Sequence, residues 1–208
     1  GLTYEGKTRP VQTYFVTGNF FSLLGLKPAL GRFFEPREGE MAGADPVTVL
    51  SWEYWHSQFQ DDPAIIGKTV AINGRSLTIV GVGPKGFVGP TPLLHIQAFL
   101  LLGMLVIDAG TPPDFLSKVD ARPLIVLARL KHGSGPEQVS PALNVVGEHL
   151  LASYPRPDEK HDGDAERNQR TVSISLGRHS YRIPGKLRAV FLYAVGNRPL
   201  FPHRRCAL

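Results

Sequence analysis

Asn73-Gly74 stands between two β-rich runs, Lys68 to Ile72 and Arg75 to Gly81, and no other feature restricts what this chain can fold into as much. A two-residue connection between strands demands positive φ at both central positions, which Asn and Gly adopt at little steric cost. The spacing predicts a tight antiparallel hairpin, and a hairpin persists only when one face of a larger sheet has a core to cover. The composition supplies one: of 208 residues 42% are hydrophobic and 20% charged, which excludes collagen, coiled coil and wholesale disorder and suits one large domain or two small ones. A core of that size needs no covalent staple, and the single Cys206 can make no internal disulfide.

Val11 to Val16 is a β-rich run ending at Thr17-Gly18-Asn19, where Asn19 is placed to cap a short apolar helical turn, Phe20 to Leu24, that Gly25 stops. Residues 27–46, with three Gly, three Pro and the acidic Glu35, Glu38 and Glu40, read as an exposed excursion. It leads to a strand over Pro46 to Leu50, with Ser51 as the cap of a helix whose Trp52, Trp55 and Phe59 share one face and read as core. Asp62-Pro63 then sets a second turn, Asp capping and Pro at the first helical position.

Ala98 to Ile107 is the longest uninterrupted apolar run, and its 10 residues are half of the roughly 20 needed to cross a bilayer. Periodicity leaves it open as a buried strand or a short helix. Further on, Leu124 to Leu130 is a strand. A Gly133-Ser134-Gly135 turn leads to a helical pattern with Val139, Leu143, Val146 and Leu150 on one face. Pro136 or Pro141 marks its start, with Ser140 as a possible cap, and Pro155 its end. Thr171 to Leu176 alternates as a half-buried strand, completing a β-α-β unit.

No constellation of residues assembles a reaction. Gly81-Val82-Gly83-Pro84-Lys85-Gly86 is a literal GxGxxG after a strand, yet a dinucleotide site requires a helix there, and Pro84 removes one of the amides it would use. Seven His residues include no i, i+4 pair, so zinc spacing is absent. The acidic loop Asp158 to Glu166 lacks EF-hand spacing and reads as solvated. Ser51, His56 and Asp61 are neighbours in sequence without a nucleophile elbow, and capping accounts for Ser51. No P-loop is present. No metal, cofactor or catalytic residue is assigned.

The net charge of +5 is unevenly placed, since residues 167–208 hold nine Lys/Arg and no acid. Arg167, Arg170, Arg178, Arg182, Lys186, Arg188, Arg198, Arg204 and Arg205 interleave with Tyr181, Phe191, Tyr193 and Phe201, a mixture that can bind single-stranded nucleic acid. The alternative reading is therefore a small basic nucleic-acid-binding protein that uses this tail. Pro184, Pro199 and Pro202 interrupt any long basic helix, and the preferred expectation is that no nucleic acid is bound.

Taken together, Val16-Thr17-Gly18-Asn19-Phe20-Phe21-Ser22-Leu23-Leu24-Gly25 with Gly31-Arg32, Pro46 to Trp55 through Phe59, Asp62-Pro63, Gly67, Asn73-Gly74, Gly81 and Gly86-Phe87 follow one another in an order and at spacings that are much more specific than any single motif. This ensemble, covering about residues 11–90, resembles the periplasmic core domain of MacB-type ABC transporter permeases, especially the FtsX-like permeases duplicated in acidobacteria. Leu124 to Pro155 is similar to the family's later strand, Gly turn and helix. The resemblance implies an α+β fold, with a βαβ porter-like part over 1–30 and 120–188 and a mostly β insertion over 31–119. It also implies an extracytoplasmic location between two transmembrane helices. The partners it implies are an ABC ATPase subunit, the remaining permease segments and periplasmic proteins; the family carries no catalytic residues over. The opening residues lack an initiator Met and a signal peptide, and from residue 189 the chain departs from the family's second membrane helix into a basic tail. Both point to a truncated or frame-shifted fragment.

Overall fold

Asn73 and Gly74 have φ of 50° and 80°, the pair of left-handed residues that a two-residue hairpin needs, and Ile72 faces Arg75 across the turn. A second hairpin of the same kind precedes it: Glu5 and Gly6 have φ of 47° and 76°, and Tyr4 faces Lys7. The chain was solved as a computed structural model that describes residues 1–90, 94–107, 125–129, helical positions between 138 and 149, 172–176 and 189–194. It divides into two compact units, Gly1–Leu116 with His179–Lys186, and Ser117–Arg178 with Leu187–Leu208.

In the first unit the strands are β1 (Leu2–Tyr4), β2 (Lys7–Arg9), β3 (Thr13–Val16), β4 (Leu30–Gly31), β5 (Val47–Leu50), β6 (Thr69–Ile72), β7 (Arg75–Val82) and β8 (Ala98–Leu101). They form one mixed sheet ordered β2-β1-β6-β7-β5-β8-β3, with β4 also paired to β7. Two contacts are parallel, β5 with β7 and β3 with β8; the others are antiparallel. Residues 1–30, which the family resemblance groups with 120–188, thus share a sheet with strands of residues 31–101. At one end of the sheet β2 is exposed throughout, and its Lys7 and Arg9 are the charges that discourage a further strand from pairing there. The apolar run left open between strand and helix is both, since β8 is fully buried and continues into a 3-10 turn, Leu102–Ile107.

Two helices connect these strands, α1 (Phe20–Leu23) and α2 (Trp52–Phe59). Gly25, with φ of 68°, ends α1: its amide donates to the Ser22 carbonyl at 3.0 Å and that of Leu26 to the Phe21 carbonyl at 3.1 Å, the two bonds of a Schellman motif. Asn19 occupies the cap position without capping. Its Oδ1 accepts instead from the Thr17 hydroxyl at 2.7 Å, because its own φ and ψ of −86° and 1° lie outside the extended region that turns a cap side chain toward the helix. Ser51 does cap α2, its Oγ accepting from the Tyr54 amide at 3.2 Å. Asp62 caps the 3-10 turn Pro63–Ile65 through the Ala64 amide at 2.9 Å.

One expectation about burial is corrected. The aromatic stripe Trp52, Trp55 and Phe59 is only half-buried, and the side chain that α2 turns inward is Tyr54. Trp52 stacks on His56 instead, with centroids 4.5 Å apart, and the Trp55 Nε1 donates to the Asp62 carbonyl at 3.0 Å; an indole needs a polar partner, which favours the boundary over the interior. Residues 27–46 are exposed over most of their length, as expected, while also adding to the sheet and the core. They contribute β4, bury Phe34 and stack Phe33 on Phe21.

The second unit has strands β9 (Ile125–Arg129), β10 (Val172–Leu176) and β11 (Ala189–Ala194) in the order β10-β11-β9, every contact antiparallel. The expected β-α-β unit is therefore split, because β11 lies between its two strands. The stretch 189–194, expected to belong to a tail departing from a membrane helix, is this central strand. Gln138 and Val139 are helical ahead of Pro141, and Ser140, the candidate cap, lies outside the described residues. Val146 is 53% exposed rather than inward, while Leu143 and Leu150 lie outside the described residues. So do the Gly133-Ser134-Gly135 turn and the acidic loop 158–166. Among the described residues no helix is long and apolar enough to cross a membrane.

Candidate functional site

Most of the residues singled out by the resemblance gather into three places. The first is an aromatic cluster in the core of the larger unit. Phe20 and Phe21 of α1 meet at 5.1 Å, Phe87 reaches both, and Phe99 of β8 lies 5.2 Å from Phe21 and 5.7 Å from Phe87. Phe33 stacks on Phe21 at 4.0 Å and 7°, and Leu24 is buried as well. These rings come from four separate stretches, so the cluster ties α1, the chain before and after Phe34, the loop behind β7 and β8 into one body. Phe33, Phe34 and Phe99 were missed in the sequence because nothing local distinguishes a ring that meets α1 from one that does not.

The second place is the crossing of β4 over β7. Gly31 faces Gly81, and the Ala29 and Arg32 amides donate to the Val82 and Val80 carbonyls, both at 2.9 Å. A Cβ on Gly81 would fall deep inside van der Waals contact of the Arg32 carbonyl oxygen, and one on Gly31 would meet the Val80 carbonyl oxygen. Only paired glycines let two backbones approach this closely. Gly18 packs in the same manner against the carbonyls of the turn Glu35 to Glu38. That turn is held by Arg32, whose guanidinium grips Glu38 with two nitrogens at 2.7 and 3.0 Å, while the Glu35 amide donates to Glu38 at 2.8 Å.

The bond from Arg32 is the main reason the Glu38 carboxyl sits below its ordinary value of 4.5; the Glu35 amide adds to it and burial opposes it. A carboxyl depressed in the folded state contributes stability that is complete above its unfolded value and is lost as pH falls through the folded one. Stability should decline on acidification below about pH 4.5, and Glu38→Gln should remove about 1 kcal/mol at neutral pH while flattening part of that decline. Urea unfolding at pH 7 and pH 3.5 measures both. An unaltered acid limb in the variant would show that Glu38 is not the group responsible.

The third place is the outer side of α2. Trp55, Asp62 and Pro63 form the junction described above, Phe59 meets Tyr4 at 5.3 Å and Tyr54 at 5.9 Å, and Gly67 donates to the Ile79 carbonyl at 2.8 Å. Burial pushes the Tyr54 hydroxyl up. Glu53 accepts from the Gly86 amide at 2.9 Å, its other carboxylate oxygen being buried without a hydrogen-bond partner. Lys85 lies over the Trp52 ring at 4.6 Å. Asn73 and Gly74 stand apart from all three places, at the tip of their hairpin.

The same contacts show how the residues of the reactive readings are engaged. In the GxGxxG stretch the Gly83 amide donates to Leu50, Gly86 to Glu53 and Phe87 to the Pro84 carbonyl, so the amides that would cradle a phosphate already have partners, and Gly81 serves the strand crossing. Ser51 is buried against the Tyr54 amide, whereas His56 and Asp61 pair with each other on the exposed side at 2.7 Å. Among the described residues no three of His, Cys, Asp and Glu converge as a metal site would require. The arginines and Lys186 of the basic tail lie outside the described residues.

What these three places share is packing and backbone geometry, the signature of a domain that keeps a shape. Among curated proteins none matches the sequence. Of solved structures, the periplasmic region of MacB from Actinobacillus actinomycetemcomitans is similar over 73% of this chain, at 16% identity and a TM-score of 0.50. The chain spans 62% of that MacB region. At this identity the likeness is one of fold, and it is α+β. The extracellular domain of the noncanonic ABC-type transporter YknZ from Gram-positive bacteria aligns over 53% of each chain at 16% identity and a TM-score of 0.43. The family described as MacB-like periplasmic core domain matches residues 1–145, a span that takes in the aromatic cluster, the glycine crossing and α2 together, and the chain belongs to that family.

Proposed function

We propose that this chain is the extracytoplasmic core of an ABC-type permease of the MacB/FtsX-like kind and that it acts by mechanical coupling. The observation that carries the reading is the family match over residues 1–145. In this reading an ATPase subunit on the cytoplasmic side drives the membrane helices of the parent permease. The core domain moves with them and passes the motion to periplasmic proteins or to an exported substrate. The residues of the three places are structural in this account: a lever must not bend, and a sheet braced by ring packing and by paired glycines transmits displacement because close-packed interiors are hard to deform. No catalytic residue is assigned.

The test is made in the native host. The locus is sequenced on both sides and read in all frames, and the chromosomal reading frame is tagged to ask where the product resides and what accompanies it. Membrane spans flanking the domain, a neighbouring P-loop ATPase and recovery of the product with that ATPase from the membrane fraction are the expected results. A complete gene with its own start, no permease nearby and a product free in the cytosol would overturn the reading.

A further inference from the structure

The chain contains two methionines, and the fold treats them in opposite ways. Met41 is 71% exposed, at the tip of the loop that joins β4 to β5, whereas Met104 is 5% exposed in the 3-10 turn behind β8. The loop is braced in that position. The Gly43 amide donates to the Gly103 carbonyl at 3.1 Å, the Ala44 amide to the Met41 carbonyl at 3.2 Å and the Gly39 amide to Asp45 at 3.1 Å. Gly103 is close enough beneath it that a Cβ there would meet the Gly39 carbonyl oxygen at 2.6 Å and the Met41 carbonyl oxygen at 2.7 Å. With its backbone held down on this side, the tip presents the Met41 thioether outward.

We propose that Met41 is a site of reversible oxidative modification by peroxide, and that Met104 is shielded from it. The thioether sulfur attacks one oxygen of hydrogen peroxide; the O–O bond breaks, the S–O bond forms, and the proton on the transferred oxygen passes to the departing hydroxide, which leaves as water. Sulfur loses two electrons and the peroxide gains them. The reaction needs only access to the sulfur, which the fold grants at residue 41 and denies at 104. Conversion to sulfoxide makes the side chain polar. At Met41 it disturbs no packing and leaves the fold intact, whereas at Met104 it would place a polar oxygen among buried neighbours. Met41 is thus the one position of the two where oxidation can mark the surface without unfolding the domain. This inference is independent of the transport reading, since it stands on exposure and sulfur chemistry alone.

The full chain is treated with dilute hydrogen peroxide, sampled over time, digested and analysed by peptide mass spectrometry, with thermal unfolding recorded alongside. The peptide containing Met41 should gain about 16 Da at least tenfold faster than the one containing Met104, with an unchanged melting temperature, and methionine sulfoxide reductase supplied with a dithiol should reverse it, the dithiol giving up two electrons to become a disulfide as the oxygen leaves as water. Met41→Leu should fold normally and abolish the early mass gain. Equal rates at the two residues, prior oxidation of Met104, an inert Met41, or an early gain that persists in Met41→Leu would each overturn the proposal.

Discussion

Gly81→Ala should lose about 3–5 kcal/mol of stability, a large share of a domain's whole margin of about 5–15 kcal/mol. The new methyl would overlap the Arg32 carbonyl oxygen, which is backbone and cannot rotate aside. Relief requires that β4 separate from β7, breaking the bonds from Ala29 and Arg32, or that β7 shift against β5, with which residues 81 and 82 are also paired. Gly83, two residues on, supplies the control. A Cβ there meets only the Leu50 carbonyl oxygen at an ordinary 3.6 Å, so Gly83→Ala should change stability by less than about 1 kcal/mol. Urea unfolding of both variants, with expression yield as a second readout, decides the matter. Comparable costs at the two positions would mean that the crossing of β4 is not what calls for glycine in this turn.

Phe21→Ala should cost about 3–5 kcal/mol. Phe21 is completely buried and its ring meets those of Phe20, Phe33, Phe34, Phe87 and Phe99. Truncation leaves a cavity bordered by rings from several segments, none of which can close it without giving up its other contacts. Phe21→Leu retains much of the volume and should cost about 1–2 kcal/mol, whereas Phe33→Ala, on the half-buried side of the stack, should cost less than Phe21→Ala. Thermal and urea unfolding measure the series. A loss under about 1 kcal/mol for Phe21→Ala would show that the cluster relaxes readily, and the account of the domain as a stiff lever would fall with it.

Much of the local architecture was legible because each signal is chemical and short in range. Asn73-Gly74 announced its hairpin, Ser51 its cap, and Asp62-Pro63 its turn. The hairpin at Glu5-Gly6 carried the same kind of signal, a Gly at the second central position between β-formers, and was passed over because Glu at the first is a weaker turn residue than Asn. The aromatic face of α2 was misread for a different reason. Spacing at i, i+3 and i+7 identifies residues that share a side of a helix, and it is the indole hydrogen bond to Asp62 and the stacking on His56 that hold this side at the boundary while Tyr54 turns inward. Of the three candidate places, the sequence exposed some members but not their company: Gly81 was legible as a glycine of a turn after a strand, and nothing near it announced that Arg32, far away along the chain, lies across it.

By itself, then, the sequence determined where the backbone turns and which short segments are strands or helices, since φ preferences, caps and side-chain alternation act between near neighbours. The ordered series of those local motifs was also sufficient to point to the family. Only the tertiary structure decided that β3 lies parallel to β8, that β5 runs parallel to β7 on one side and antiparallel to β8 on the other, that β11 enters between β9 and β10, and which rings become core. Those outcomes depend on contacts between residues distant in the chain, where the free energy of burial and the shape of what remains uncovered select one pairing from many that local preference allows equally.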